Sequence, residues 1–276
     1  MGTVSGMPTA TVLRLASWNL FSGRALGDER VDLERAAATL AALDADVVAL
    51  QEVDRCQPRS GRADQARLLG ERLGMRCCYT PTLLGEFGGR AGVRAHDPAG
   101  ADPGGAAYGI ALLSRLPLAR VEAVGLPRAG AEEPRAALVA LVGRCGGAVT
   151  VAVTHLSNHP RSSLVQLRAL QRRLATWPPP RLLAGDLNQW LPLVRLASLP
   201  GWRPLVRGRT FPNRPPGRLR PTVQIDHILA SDPQGRLRVR RTRVHAGPGS
   251  DHRAVLVELE VVQAAGGYAG CSNQFW

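Results

Sequence analysis

A chain of 276 residues that is 45% apolar can bury a large core, and no Ser/Gly/Pro-rich linker divides it, so one large domain is expected. Its apolar runs are far shorter than a membrane helix, which excludes a helical membrane bundle. The formal charge is +13, and because lysine is absent every strong base is arginine, a bias that either genome composition or polyanion binding can produce.

In chain order, Thr11 to Trp18 reads as a strand ending on Asn19, and Val31 to Leu43 as an amphipathic helix with Asp28 or Asp32 as its cap. Asp46 to Glu52 reads as a buried strand ending on a carboxylate. Asp64 to Leu73 is a second helix, closed by Gly74. Leu84 to Ala107, rich in Gly, Ala and Pro, reads as a long surface loop. Strands follow at Tyr108 to Ser114, Leu118 to Val124, Ala136 to Val142, and Val149 to Thr154, the last ending on His155. Ser162 to Trp177 is a helix whose expected buried stripe is Leu164, Leu167, Leu170, Arg173 and Leu174, stopped by Pro178 to Pro180. Arg181 to Gly185 is a short strand, Trp190 to Leu196 a short helix, and an arginine-rich loop reaches Pro221. Val223 to Ala230, Leu237 to Val244 and Arg253 to Val261 are the last strands. Residues 11–262 form the expected domain, with poorly ordered tails at 1–10 and 263–276. Two halves of strands and helices fit a sheet-on-sheet core with helices outside.

No charged-then-apolar leader is present, and Gly6 stands where an acylation start wants Ser or Thr. The five cysteines form no C-x-x-C pair and read as reduced, mostly buried thiols, so a soluble, cytoplasmic monomer is expected.

The recurring event is an apolar strand that ends on a polar residue: Asn19, Glu52, His155, Asp186 with Asn188, Asp226, and Asp251 with His252. Each alone has a mundane reading as a turn or a solvated strand end. Together they point to one site, because ligand sites in layered α/β folds collect where loops converge. Gly185 lets the backbone approach a neighbour, and in extended chain Asp186 and Asn188 face one side. Glu52, with Asn19 and Asp251, offers hard oxygens suited to Mg²⁺ or Mn²⁺. Asp186 can take a proton from water, Asn188 can hold that water or a phosphate oxygen, and His252 paired with Asp226 would stay cationic. This chemistry is metal-assisted phosphoester hydrolysis. A zinc site on His155 and His159 is disfavoured by Pro160 and by the absence of H-E-x-x-H. A serine hydrolase lacks its G-x-S-x-G elbow. His96, His227 and His245 read as structural or surface residues.

The ordered segments Ala16-Ser-Trp-Asn-Leu20, Leu50-Gln-Glu-Val53, Tyr108 to Arg115, Thr154-His-Leu156, Gly185-Asp-Leu-Asn188, Ile225 to Leu229 and Ser250 to Val255 resemble the endonuclease/exonuclease/phosphatase superfamily. Its members include deoxyribonucleases, abasic-site endonucleases, neutral sphingomyelinases and inositol-polyphosphate phosphatases. The resemblance implies an α/β, four-layer α-β-β-α sandwich of two mixed sheets packed face to face, with a divalent-metal site. By motif, Glu52 is the main ligand beside Asn19 and Asp251, Asp186 the base and Asn188 the phosphate-orienting amide. His155 would contact the scissile phosphate, Asp226 would orient His252, and Gln51 would position Glu52. Tyr108 and Arg135 stand where substrate contacts are expected. Ile110 replaces an Asn common after Tyr-Gly, and Phe21 replaces an acid of some abasic endonucleases, which weakens a DNA-repair reading. The expected activity is a phosphodiesterase acting on a phosphate-containing substrate: a nucleic acid, a lipid headgroup or an inositol phosphate. The alternatives are an endonuclease on DNA or RNA and a non-catalytic, basic nucleic-acid-binding module. Two arginine groups, seven residues between Leu187 and Ile225 and five from Arg236 to Arg243, would serve a polyanion, whereas aromatics at 4% limit base stacking.

Overall fold

The computed structural model describes residues 10–24, 30–143, 147–213 and 221–263. Asp28, Cys145, Cys271, Arg214, Arg218, Arg220 and nearly all of both expected tails lie outside them.

The central strands bury both faces, which is why Ala107–Ser114, Ala136–Val142, Val149–His155 and Arg181–Asp186 read as near-continuous apolar runs, whereas the edge segments Val93–Ala95 and Leu237–His245 are mostly exposed. One sheet contains β1 (Ala10–Asn19), β2 (Val47–Arg55), β3 (Arg76–Gly85), β4 (Val93–Ala95), β5 (Ala107–Ser114), β12 (Leu237–His245) and β13 (Ala254–Val262). Its order is β12-β13-β1-β2-β5-β3-β4, and β1–β2 is a parallel pair among antiparallel neighbours. The other contains β6 (Leu118–Gly125), β7 (Ala136–Val142), β8 (Val149–His155), β9 (Arg181–Asp186), β10 (Trp202–Pro204) and β11 (Asp226–Ser231). Its order is β10-β11-β9-β8-β7-β6, with β8–β9 parallel.

The alternation of side chains assigns each face. Leu13 and Leu15 of β1 meet Val151 and Val153 of β8 and Leu182 and Ala184 of β9 in the core between the sheets. Ala16 and Trp18 face the opposite way, against Ala36 and Leu40 of α1 (Leu33–Leu43) and Leu69 of α2 (Gln65–Leu73). Ala152 and Leu183 pack against Leu167 and Leu170 of α3 (Pro160–Leu174) and Val194 of α4 (Leu191–Ala197). The result is the four-layer α/β sandwich of two mixed sheets. The first two helices start where acids cap them: Asp32 accepts from the backbone N–H of Glu34 and Arg35, and Asp64 from that of Arg67. Among the described residues no helix is long and apolar enough to cross a membrane.

Three expectations are corrected. The loop expected over Leu84 to Ala107 instead begins inside β3 and contains β4, which folds back on it. A side chain at Gly85, where φ is +107°, would put its Cβ 2.3 Å from the Gly92 carbonyl oxygen, so glycine permits this reversal. Arg173 is exposed and pairs with Glu122, and the buried stripe of α3 runs instead through Ser163, Gln166, Leu167, Leu170, Gln171 and Leu174. The described cysteines Cys56, Cys77 and Cys78 are unbridged as expected, but Cys77 is exposed and the other two only half-buried.

Candidate active site

Strand register, more than any single loop, builds the site. His155 at the end of β8 is the register partner of Asp186 at the end of β9, and Asp186 is the partner of Asp226 at the start of β11. Three adjacent strands thus deliver three polar side chains to one end of the six-stranded sheet. The parallel β1–β2 pair delivers Asn19 and, next to its partner Gln51, Glu52 from the other sheet. Both sheets therefore empty onto one edge of the sandwich.

Glu52 does not end its strand. β2 continues to Arg55, and the pairing with β5 slips between Leu50 and Val53, so Glu52 sits in a bulge at φ +55°. The bulge turns its carboxylate towards Asn19, whose Nδ2 donates to Glu52 Oε1 at 3.0 Å and to Asp186 Oδ2 at 3.1 Å. Asn19 Oδ1 accepts from the Phe21 backbone N–H at 3.0 Å. Asn19 is thus a clamp between two carboxylates drawn from different sheets. Gln51 points the other way, towards Ser17 Oγ at 3.3 Å, and does not position Glu52.

Asp186 and Asn188 also converge differently from an extended pair. The strand ends at Asp186, and Asn188 takes φ +50°. Asp186 Oδ1 accepts the Asn188 backbone N–H at 2.9 Å, closing an Asx turn. The Asn188 Nδ2 donates to the Leu156 carbonyl at 3.0 Å and lies 3.2 Å from His155 Nε2. Gly185 is needed one residue earlier: a Cβ there would stand 1.9 Å from the Thr154 carbonyl oxygen on β8.

Asp186 Oδ2 lies 3.6 Å from His155 Nε2 and 3.8 Å from His252 Nε2. On the far side of its ring, His252 Nδ1 reaches Asp226 Oδ2 at 3.0 Å. Asp226 is fully buried, and its backbone N–H donates to Thr210 Oγ1. Burial opposes charge on His252, but the Asp226 carboxylate and its hydrogen bond, with Asp186 and Asp251, outweigh it and push the imidazole up to about 10. Burial pushes Asp186 up to about 7; His252 opposes this and Asp226 adds to it. His155 is held well below its ordinary value by burial, Arg135 and His252, so it is a neutral imidazole.

The loop before β13 is tied to β1. Ser250 Oγ donates to the Asn19 carbonyl at 2.6 Å and accepts the His252 N–H at 3.0 Å, while Trp18 Nε1 donates to the His252 carbonyl. Asp251, between them, is raised by burial, with His252 opposing and Glu52 adding, which places Asp251 and Glu52 within electrostatic reach of each other. Tyr108 is buried edge-on to Phe87, with ring centroids 5.7 Å apart; Arg135 is buried beside Glu133 at 3.1 Å, and its Nε has no partner. His227 faces away from the site, Nε2 against the Gln189 carbonyl, as its alternation required.

Two arrangements could hold a cation. Asp186, Asp226 and His252 each present a ligand atom within 4.8 Å of one another. In that group, however, the carboxylates already flank the imidazole, which is the arrangement of a proton-holding relay. The half-buried Glu52 and Asp251 carboxylates, of which Glu52 is joined through Asn19 to Asp186, are the better match to a hard divalent ion, because neighbouring acids partly withdrawn from water favour a positive charge between them.

Sequence reasoning missed Phe211, whose ring lies 4.8 Å from that of His252, and Thr210 and Glu133. Thr210 and Phe211 lie in the loop between β10 and β11, where no periodic pattern marks them.

The family model for the Endonuclease/Exonuclease/phosphatase family matches residues 16–252. An endonuclease/exonuclease/phosphatase from Beutenbergia cavernae is 26% identical, with a TM-score of 0.70 over 91% of this chain and 72% of that one. A mannosyl-6-phosphatase from Bacteroides thetaiotaomicron is 18% identical, with a TM-score of 0.65 over 90% of this chain and 99% of that one. A humanized D. rerio TDP2 is 17% identical, with a TM-score of 0.63 over 90% and 98%. The last two share the fold. With the motifs in order and the match spanning every strand end of the site, the chain belongs to the Endonuclease/Exonuclease/phosphatase family, whose members are hydrolases of phosphoester bonds.

Proposed function

We propose that this protein is a divalent-metal-dependent phosphodiesterase whose catalytic domain spans residues 11–262, acting as a soluble, cytoplasmic monomer. The observation that carries this reading is Asp186, held at a three-strand register point between a neutral and a cationic histidine and clamped through Asn19 to Glu52.

Glu52 and Asp251 would hold Mg²⁺ or Mn²⁺, with Asn19 fixing the Glu52 carboxylate. When bound, such an ion neutralises phosphate charge and stabilises the departing oxygen. Asp186, raised by burial towards neutrality, accepts a proton from the attacking water. His252, kept cationic by Asp226, compensates the charge that develops on the non-bridging oxygens. His155, neutral, faces the phosphate without competing for the proton. Asn188 orients His155 and an equatorial oxygen, and Arg135, with its unpaired Nε, steadies a phosphate oxygen beside Tyr108.

Hydrolysis of bis-p-nitrophenyl phosphate with Mg²⁺, and its abolition by EDTA, tests the activity. A panel of plasmid DNA, RNA, sphingomyelin and inositol phosphates tests the substrate. Failure to turn over any of them with Mg²⁺ or Mn²⁺ present overturns the hydrolase reading in favour of a binding module.

A further inference from the structure

Among the described residues eight large apolar side chains are exposed, and the three most exposed, Leu196 at 79%, Trp190 at 60% and Val165 at 56%, together with Leu193 at 39%, belong to α3 and the segment through α4. Scattered single apolar residues are ordinary on a protein surface, but a group this concentrated is not. Leu193 and Leu196, three apart, share a side of α4, and Trp190 precedes them by three. The two helices are joined where Arg168 Nε donates to the Ala197 carbonyl at 2.9 Å, and Val165 lies one turn before Arg168. Trp190 follows Asn188 by two residues, so the apolar group begins at the rim of the candidate active site.

The charge around it is one-sided. No carboxylate occurs from Pro134 to Gly185 or from Leu187 to Ile225, so α3 and α4 contain none. Arg161, Arg168, Arg172 and Arg195 are exposed on these helices. Two carboxylates reach α3 from outside it: Glu122 pairs with Arg173, and Glu132 accepts hydrogen bonds from Ser157 and Ser162. Arginine heads around exposed Leu, Val and Trp are the pattern of a surface that enters the headgroup region of an anionic bilayer: the heads meet lipid phosphates, Trp sits at the interface, and the leucines reach the acyl boundary. A nucleic acid would satisfy the arginines but leave the leucines and valine in water.

We propose that the α3–α4 face is a peripheral docking surface for anionic lipid bilayers, bringing the active-site rim against the membrane so that the phosphodiester it takes is that of a membrane lipid. The lipid-substrate half rests on the hydrolase reading; the docking half does not.

The full chain is sedimented with vesicles of phosphatidylglycerol mixed with phosphatidylcholine, and with phosphatidylcholine alone. Expected is binding to the anionic vesicles that weakens with added salt, and that falls about tenfold or more in the Trp190→Ser/Leu196→Ser variant. Brominated phosphatidylglycerol should quench the wild-type tryptophan signal, and the extra quenching should vanish in Trp190→Phe while binding persists. This second measurement does not depend on how well the serine variant folds. Absence of binding at low salt, unchanged binding in the serine variant, or no quenching difference in Trp190→Phe overturns the proposal. So does sedimentation equilibrium showing that wild type self-associates and the serine variant does not, since a second copy would then cover the face. Soluble bis-p-nitrophenyl phosphate separates the two readings: vesicle binding without any hydrolysis defeats the hydrolase and leaves docking standing, and the reverse defeats docking alone.

Discussion

At the scale of single residues, the site works by giving similar groups different protonation states. His155 and His252 both approach Asp186, at 3.6 and 3.8 Å, yet only His252 has a carboxylate on its other nitrogen. Asp226 is therefore the residue that decides which histidine carries charge. The active form needs Asp186 ionised and His252 protonated. The rate should rise with pH through about 7, where Asp186 loses its proton, and fall through about 10, where His252 does. A kcat/KM profile without an acid limb near neutrality contradicts the assignment of Asp186. In Asp226→Asn, His252 loses its largest stabilising partner, so the alkaline limb should move to lower pH while the acid limb persists. A profile unchanged by that substitution would mean that Asp226 is only a packing residue.

At the scale of elements, glycine and bulge geometry carry what side-chain chemistry cannot. Gly185→Ala would drive a methyl group into the Thr154 carbonyl, across the β8–β9 pair that aligns His155 with Asp186. The expected cost is about 3 kcal/mol, read as a lowered urea midpoint, with loss of activity exceeding the loss of fold. A midpoint within experimental error of wild type would show that the strands can separate without consequence. Much of this level was legible in the sequence: the strand ends at Asn19, His155 and Asp186 announce themselves by apolar runs stopped by polar residues, and Asp32, one of two caps offered for α1, is the residue that caps it. What was not legible depends on tertiary context. The bulge at Glu52 is a slip in the β2–β5 register, set between strands distant in sequence, and nothing within Leu50 to Val53 distinguishes it from a strand end. β3 was hidden by Pro81, tolerated where its pairing with β5 slips between Pro81 and Leu83. β4 is three exposed residues with no apolar pattern, and Phe211 reaches His252 only through the fold.

At the scale of the whole molecule, two sheets packed face to face bring acids from separate halves of the chain to one edge. Asp251, on the approach to the last strand, is raised by burial and by Glu52 from the first half of the chain, a cost that a cation between the two carboxylates would offset. Saturating Mg²⁺ should therefore raise the melting temperature by about 5 °C at a hundredfold excess over its Kd. The rise should disappear in Glu52→Gln. An equal rise in the variant would place the ion elsewhere, with the Asp186, Asp226 and His252 group as the next candidate. The charge of the molecule is equally uneven, with arginine-only helices beside the site and most acids elsewhere, so the orientation in which it meets a substrate is part of its chemistry.

If Asp186 is the base of a metal-dependent phosphodiesterase, kcat for bis-p-nitrophenyl phosphate at saturating Mg²⁺ depends on its carboxylate. Asp186→Asn keeps the size of the side chain and removes the proton acceptor. In that variant kcat should fall about 10³-fold with an unchanged melting profile. A variant that turns over within threefold of wild type, on the order of the scatter expected for a neutral substitution, would contradict the role of Asp186 as base.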